Sequence, residues 1–348
     1  MLSTLFFLSS GLFLGWSLGA NDAANVFGTA VGTRMVRFRI AAIVASGFVV
    51  VGAVASGSGA SETLGRLGSV NALPGAFTVA LSAALTVTWM TRLRLPVSTT
   101  QAIVGAIVGW NLFSRTETDA GSLSTIVGSW VAGPILTMVF AALLYFLFKR
   151  VLARFRVGII VQDAYTRAGL VLVGAFGAYS LGANNIANVM GVFVPVSPFP
   201  SAQFLGMSFT GGQQLFFLGG IAIAVGIFTY SRRVMETVGN DLYKLSPITA
   251  LIVVLSSGLV LFLFASETLK IWMESRGIPW FPLVPISNSQ TVVGGVLGIG
   301  IAKGGRNINL GLLGKIGMGW VSTPLAAAAT SFVLLSITQN LFLLEVYR

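Results

Sequence analysis

Long apolar runs alternate with short charged or Gly/Pro-rich loops along the whole chain of 348 residues. An α-helix needs about 20 apolar residues to cross the hydrocarbon core of a bilayer, and most of the runs approach that length. Ten such runs predict ten crossings and an all-α integral membrane protein, because a transmembrane barrel would show short alternating strands instead. The runs lie near 2–31, 40–60, 75–90, 96–113, 122–148, 168–194, 210–230, 247–266, 285–302 and 316–343.

A polar motif interrupts two of these apolar runs. Residues 17–28 recur as residues 180–191, and nine of the twelve positions are identical. Lipid tails cannot hydrogen-bond to amide or carboxylate groups, so polar side chains at this depth must face a protein interior or a water-lined cavity. A duplicated polar break in a membrane helix is typical of a transporter built from internal repeats. The polar residues are Asn21, Asp22 and Asn25 in the first copy, and Asn184, Asn185 and Asn188 in the second.

A second pair of motifs begins at Pro96 and at Pro285. Proline lacks a backbone N–H and favours a break or the first turn of a helix. A helix N-terminus presents unpaired N–H groups and the positive end of the helix dipole, and neutral donors beside it make a site for a tetrahedral oxyanion. Two termini entering from opposite sides are expected to hold one anion at the midplane; helix capping alone is the alternative role. The side chains concerned are Ser98, Thr99, Thr100 and Gln101, and Ser287, Asn288, Ser289 and Gln290.

The paired motifs divide the chain into two repeats. The first motif recurs after 163 residues and the second after 189, and five predicted crossings fall on each side of a basic segment. Because five is odd, the second repeat must enter the membrane from the opposite side. The sequence therefore predicts two inverted-topology repeats of about five crossings each, with broken or re-entrant helices at the midplane. The predicted boundaries are 1–148 for the first repeat, 149–167 for a cytoplasmic basic linker and 168–348 for the second repeat.

The amino-acid composition supports a membrane protein and argues against an enzyme. Hydrophobic residues make up 55% of the chain and charged residues 9%, against roughly 25% charged in ordinary soluble domains. Cysteine and histidine are absent, which removes disulfides, thiolate or imidazole metal sites and the reactive groups of most enzymes. We therefore expect no enzymatic activity, no transition metal and no bound cofactor.

The net charge of +11 resides mostly in short loops between apolar runs. With the N-terminus outside, 16 of the 21 Lys and Arg residues lie in cytoplasmic loops and 5 lie outside, as the positive-inside rule requires. This distribution indicates topology and gives no reason to expect nucleic-acid binding. We expect a multi-pass protein of the plasma (inner) membrane with both termini outside.

Asp22 is the one acidic residue inside an apolar run. A carboxylate at that depth would be driven to protonate unless a cation or dense hydrogen bonding stabilises its charge. Either outcome suits a transporter, because the group could hold a sodium ion or titrate a proton. The alternative is a carboxylate that only ties helices together. Asn185 occupies the equivalent position in the second repeat and is isosteric but neutral.

The first motif resembles a signature of the inorganic phosphate transporter (PiT) family of cation-coupled permeases. That signature is a Gly-Ala-Asn-Asp-x-Ala-Asn segment in both halves of the chain. Residues 19–25 match it, and residues 182–188 match it apart from Asn185.

The second motif resembles the same family's Pro-[Val/Ile]-Ser-Thr-Thr-His segments. Residues 96–100 match, whereas residues 285–289 depart at their last two positions. The family's histidine is replaced in both repeats, by Gln101 and by Gln290. A proton relay through histidine is therefore excluded, and the single carboxylate suggests a different number of coupled ions.

The resemblance covers essentially the whole chain and implies two inverted repeats, a homodimer, and phosphate carried together with sodium or protons. We expect a phosphate:sodium symporter with alternating access, because amide and carboxylate oxygens suit a hard cation. Sodium is then the only metal ion. Proton coupling, sulfate or another tetrahedral oxyanion as cargo, and an anion channel are the alternatives. By position, Asn21, Asp22 and Asn25 are implied to serve the coupling ion, assisted by Asn184, Asn185 and Asn188, while Ser98, Thr99, Thr100, Ser287, Asn288 and Ser289 hold the oxyanion.

Overall fold

Helices dominate the structure, a computed structural model that describes residues 2–68, 70–93, 97–154, 158–204, 206–232, 235, 245–305 and 309–348. Twelve α-helices, a short 3₁₀ turn (Gly191–Phe193) and an antiparallel hairpin of β1 (Ala202–Phe204) and β2 (Met207–Phe209) are found in these ranges. The helices are α1 (Leu2–Gly32), α2 (Phe38–Ser56), α3 (Ser58–Gly68), α4 (Leu73–Arg92), α5 (Thr99–Ser114), α6 (Ala120–Arg154), α7 (Ile159–Met190), α8 (Gly211–Thr229), α9 (Pro247–Leu263), α10 (Glu267–Glu274), α11 (Asn288–Ala302) and α12 (Leu310–Asn340).

The prediction of an all-α membrane protein is confirmed, and each of the ten apolar runs contains a helix. Of the described helices, seven are long and apolar enough to cross a membrane, or eight if α9 and α10 form one span bent by 68°. Helices α5 and α11 have 16 and 15 residues, fewer than the ~20 of a full crossing. Two of the ten predicted crossings are therefore not full helical spans. Ser98 and Ser287, immediately before these two helices, have extended backbone angles, so each run is part extended chain and part helix.

Helices of the two halves pack against one another in reciprocal pairs. Helix α1 contacts α8 as α7 contacts α2, and α5 contacts α12 as α11 contacts α6. Gly105 of α5 lies against the backbone of Pro324, and Gly294 of α11 lies against the backbone of Pro134 in the same way. Exchanged contacts of this kind are those expected of repeats related by a two-fold axis, and they support the predicted repeat. The inverted orientation across the membrane stays a prediction.

The segment predicted as a basic linker, 149–167, is helical where the structure describes it. Helix α6 continues to Arg154, and α7 begins at Ile159; residues 155–157 lie outside the described ranges. Arg167 pairs with Asp163 one turn earlier on α7 (2.7 Å) and donates to the carbonyl oxygen of Met35 (3.4 Å). The start of α7 is thereby joined to the connection between α1 and α2.

Helix α6 presents an apolar outer face. Val127, Val131, Ile135, Val139 and Leu143 are all exposed and recur every four residues, so they lie along one side of the helix. Exposed apolar surface of this extent is costly in water and is the surface that lipid or another apolar protein face covers. The core faces of the same bundle carry the polar motifs.

Candidate substrate and cation site

The first turns of α5 and α11 meet head to head in the middle of the bundle. The hydroxyl of Ser98 donates to the hydroxyl oxygen of Ser287 across 2.9 Å. Each serine also caps its own helix, because its Oγ accepts the N–H of Gln101 or of Gln290, both at 3.3 Å. The sequence predicted two helix N-termini at one place, and the structure brings them together through their cap residues.

Two further hydrogen bonds cross between these termini in a reciprocal arrangement. The Thr100 hydroxyl donates to the carbonyl oxygen of Ile286 (3.1 Å), and the Ser289 hydroxyl donates to the carbonyl oxygen of Val97 (3.5 Å). Each bond is the equivalent of the other in the opposite repeat. Reciprocal bonds of this kind are those expected if the two repeats are related by a local two-fold axis between the cap residues.

The junction leaves backbone donors for a ligand. The first four N–H groups of a helix have no partner inside the helix. In both helices the cap serine satisfies two of these groups. Its Oγ accepts the third N–H, from Gln101 or Gln290, and its backbone carbonyl oxygen accepts the fourth, from Ala102 or Thr291 (3.0 Å each). Among the described residues, the first two N–H groups of each helix have no acceptor, so they are available to a ligand. An anion at this point would also lie at the positive ends of two helix dipoles.

Asn184 of the second motif fixes the extended chain before α11. Its Nδ2 donates to the carbonyl oxygen of Val284 (3.0 Å), and its Oδ1 accepts the N–H of Ile286 (2.8 Å). Both polar atoms of this fully buried side chain are thus used on backbone groups that no helix satisfies. Asn184 holds the N-terminus of α11 in place.

Replacing Asn184 by alanine is expected to lower the stability of the protein by about 2 kcal/mol, because two buried backbone groups lose their partner. Thermal unfolding of the purified protein measures this effect. Asn340→Ala is the matched control, since Asn340 is exposed and bonds only to Ser336. Equal melting temperatures for the two variants would contradict the assigned role.

Asn188 and Asn185 form a buried amide pair beside the first turn of α5. The Nδ2 of Asn188 donates to the hydroxyl oxygen of Thr100 and to the Oδ1 of Asn185, both at 2.9 Å. The Nδ2 of Asn185 and the Oδ1 of Asn188 have no hydrogen-bond partner among the described residues. An unpaired amide group at 1% exposure or less is costly, so a ligand or water is expected beside this pair.

Asp22 lies in the corresponding place of the first motif and is 8% exposed. Its carboxylate makes no hydrogen bond or ion pair with any described residue, while its backbone carbonyl accepts the Nδ2 of Asn288 at 3.1 Å. Asn21 and Asn25 are half-buried on the same helix. Asn25 and Asn288 line a small cavity of about 10 Å³, which has room for about one water-sized group.

Thr99, Gln101 and Gln290 are buried as the prediction required, but their side chains bond to no described residue. The Oε1 atoms of both glutamines are unpaired, at equivalent positions of the two repeats. The structure therefore brings the hydroxyls of Ser98, Thr100, Ser287 and Ser289 together and joins Asn188 to Thr100. Among the described residues, the side chains of Asn21, Asn25 and the two glutamines have no hydrogen-bond partner.

Two residues near the site were missed by the sequence analysis. The Thr291 hydroxyl donates to the backbone carbonyl oxygen of Asn288 (2.8 Å) and lies 2.7 Å from the Ser257 hydroxyl of α9, which also lines the cavity. The available signal was a Ser-Ser-Gly sequence inside the otherwise apolar α9. The pairing itself joins residues 34 positions apart and needed the fold.

Comparison with known proteins identifies the family. The family model described as the phosphate transporter family matches residues 18–161, 159–331 and 273–346, which together span nearly the whole chain. The chain belongs to the phosphate transporter family. Its members are permeases, so the predicted membrane transport class and the resemblance found in the motifs are confirmed.

Individual members of the phosphate transporter family match over almost their full length. A protein of Methanocaldococcus jannaschii named "Putative phosphate permease" is 28% identical over 322 residues, covering 92% of this chain and 93% of its own. One from Pyrococcus abyssi with the same designation is 27% identical, covering 93% and 95%. A solved structure named "The sodium-dependent phosphate transporter" superposes with a TM-score of 0.76 at 24% identity, over 99% of this chain and 100% of its own. At 24% identity, this superposition shows that the two proteins share a fold.

Proposed function

We propose that this phosphate transporter family member imports inorganic phosphate by sodium-coupled symport with alternating access. One observation carries the proposal: two capped helix N-termini meet through Ser98 and Ser287, and the buried carboxylate of Asp22, unpaired among the described residues, lies on a helix that contacts one of them. The proposed anion site and the proposed cation site would thus be neighbours. Coupled transport requires both ions to stabilise the same conformation.

The anion would bind where the two first turns meet. Backbone N–H groups and the hydroxyl of Thr99, which bonds to no described residue, supply neutral donors there, and no Lys or Arg belongs to the motifs. Neutral donors suit a carrier, because the substrate must be released on the other side of the membrane. Phosphate is the substrate class in the names of the family and of its members.

The cation would bind at Asp22 with Asn21 and Asn25. A buried carboxylate without a protein partner requires a counter-charge, and amide and carboxylate oxygens are ligands for a hard cation. We favour sodium over a proton because amides flank the carboxylate one turn apart and would add oxygen ligands. The solved structure with the same fold is named for its dependence on sodium, which agrees with this choice.

Alternating access would follow from the reciprocal packing. Each half of the site combines a motif helix of one repeat with a short helix of the other, α1 with α11 and α7 with α5. Rocking one pair against the other would open the junction to one side and then to the other. We further propose that the protein lies in the inner membrane with both termini outside and that it forms a homodimer. The basic loops support this orientation, and the apolar outer face of α6 is a suitable dimer surface.

Uptake into proteoliposomes tests the proposal. Radiolabelled phosphate and sulfate are each offered under a sodium gradient and, separately, under a proton gradient. We expect uphill accumulation of phosphate under the sodium gradient, little inhibition by excess sulfate, and no accumulation under the proton gradient alone. Accumulation driven only by protons would exclude sodium coupling, preferential uptake of sulfate would change the substrate, and equilibration without accumulation would indicate a channel.

A further inference from the structure

The orientation of the Asn185–Asn188 amide pair follows from a single fixed point. The carbonyl oxygen of Ile286 can only accept a hydrogen bond, so the Thr100 hydroxyl, 3.1 Å away, must donate its one hydrogen to it. The hydroxyl oxygen then accepts from Asn188, which places the Nδ2 of Asn188 towards Thr100 at 2.9 Å.

The same reasoning fixes Asn185. The Nδ2 of Asn188 also lies 2.9 Å from the Asn185 side chain, and two amide NH₂ groups cannot bond to each other, so Asn185 presents its oxygen. Its Nδ2 therefore points elsewhere. Flipping either amide would put two donors or two acceptors face to face.

The outcome is a free hydrogen-bond donor at the position where the first repeat has a carboxylate. The Nδ2 of Asn185 is buried without a partner among the described residues, and the Asn185 oxygen is already engaged. Asn184 uses its own oxygen on the backbone of Ile286. The three asparagines of this motif all lie in the described part of the chain, and among them only Asn188 has a side-chain oxygen without a hydrogen-bond partner. A sodium ion requires several oxygen ligands, so this motif offers too few.

We propose that Asn185 donates a hydrogen bond to the transported oxyanion and that the second motif holds no cation. The inference rests on the proposed function and assigns the two copies of the motif to different ions. The first copy, with Asp22, serves the cation; the second copy, joined through Asn188 and Thr100 to the first turn of α5, serves the anion.

Separate binding measurements on the purified protein test this assignment. Binding of labelled sodium is measured without phosphate, and binding of labelled phosphate is measured at saturating sodium. We expect Asn185→Ala to weaken phosphate binding by about tenfold, as for loss of one hydrogen bond to an anion, and to leave the sodium midpoint unchanged. Asn185→Asp should weaken phosphate binding further, because it replaces the donor by a negative charge while it still accepts from Asn188.

Ser331→Ala is the control, since Ser331 is also buried with a polar atom that has no described partner but lies on α12 outside the motifs. It should change neither affinity. Weaker sodium binding in Asn185→Ala, or unchanged phosphate affinity in both Asn185 variants, would overturn the assignment and leave the symport proposal intact. Absence of phosphate binding to the unmodified protein would overturn both.

Discussion

Asp22→Asn is expected to abolish sodium-driven accumulation of phosphate, reducing uptake under an inward sodium gradient to that of liposomes without protein. The substitution keeps the shape of the side chain and removes its charge. Asp22 is the one acidic residue inside an apolar run, and its carboxylate has no partner among the described residues. No other group would therefore replace its interaction with a cation. Radiolabelled phosphate uptake into proteoliposomes measures the loss.

A surface acid provides the control for Asp22→Asn. Asp163→Asn makes the same chemical change at a position whose side chain is 44% exposed and pairs with Arg167 on the same helix. Exposed ion pairs of this kind contribute about 0–1 kcal/mol, so uptake should stay close to that of the unmodified protein. If Asp22→Asn still accumulates phosphate under a sodium gradient, the assignment of the cation site to α1 is wrong.

Gly294→Ala is expected to lower the melting temperature by about 1–4 °C, which corresponds to an overpacking cost of ~1–3 kcal/mol in a chain of this length, and to reduce transport with it. A Cβ atom at this position would lie less than 3.0 Å from the carbonyl oxygen of Pro134, so α11 and α6 would have to separate. Gly105→Ala should behave alike, because the same contact is made with Pro324. Thermal unfolding in detergent and phosphate uptake measure the two effects.

Helical glycines with open space beside them separate this contact from a general effect of alanine. At Gly128 of α6 and Gly317 of α12, a methyl group would meet no described atom within 4 Å, so alanine should be accepted there and add about 1 kcal/mol of helix propensity. Melting temperatures that fall equally at Gly128 and Gly294 would show that close helix contact is not what the α11 glycine provides.

The caps and breaks were within reach of the sequence. The Pro-x-Ser pattern predicted helix starts, and Ser98 and Ser287 do cap α5 and α11. The short length of α5 and α11 was harder to predict from the sequence. The residues before each helix are extended but still apolar, and hydropathy does not distinguish extended from helical backbone. Buried extended chain outside a sheet needs other partners for its backbone groups. Here the Asn184 side chain supplies two of them, and it lies about 100 residues away in sequence.

The roles within the first motif pair were predictable only in part. Identical spacing in 17–28 and 180–191 suggested one shared site, with the difference between Asp22 and Asn185 as its asymmetry. The sequence could not indicate that Asn184 has both polar atoms engaged or that Asn188 orients Asn185. The first fact depends on Val284 and Ile286 in the extended chain before α11. The second depends on Thr100, which approaches through the packing of α7 against α5.

By itself, the sequence determined the membrane environment, the helical class, the two copies of each motif and the family, because hydropathy, residue spacing and short signatures are local properties of the chain. Only the tertiary structure decided which polar groups meet and which do not. The cap serines bond to each other across the junction, whereas the carboxylate of Asp22 and the Nδ2 donor of Asn185 have no partner among the described residues. Hydrogen-bond partners across 88 to 266 residues depend on how helices pack, and a buried polar group reveals its role only when all its neighbours are known.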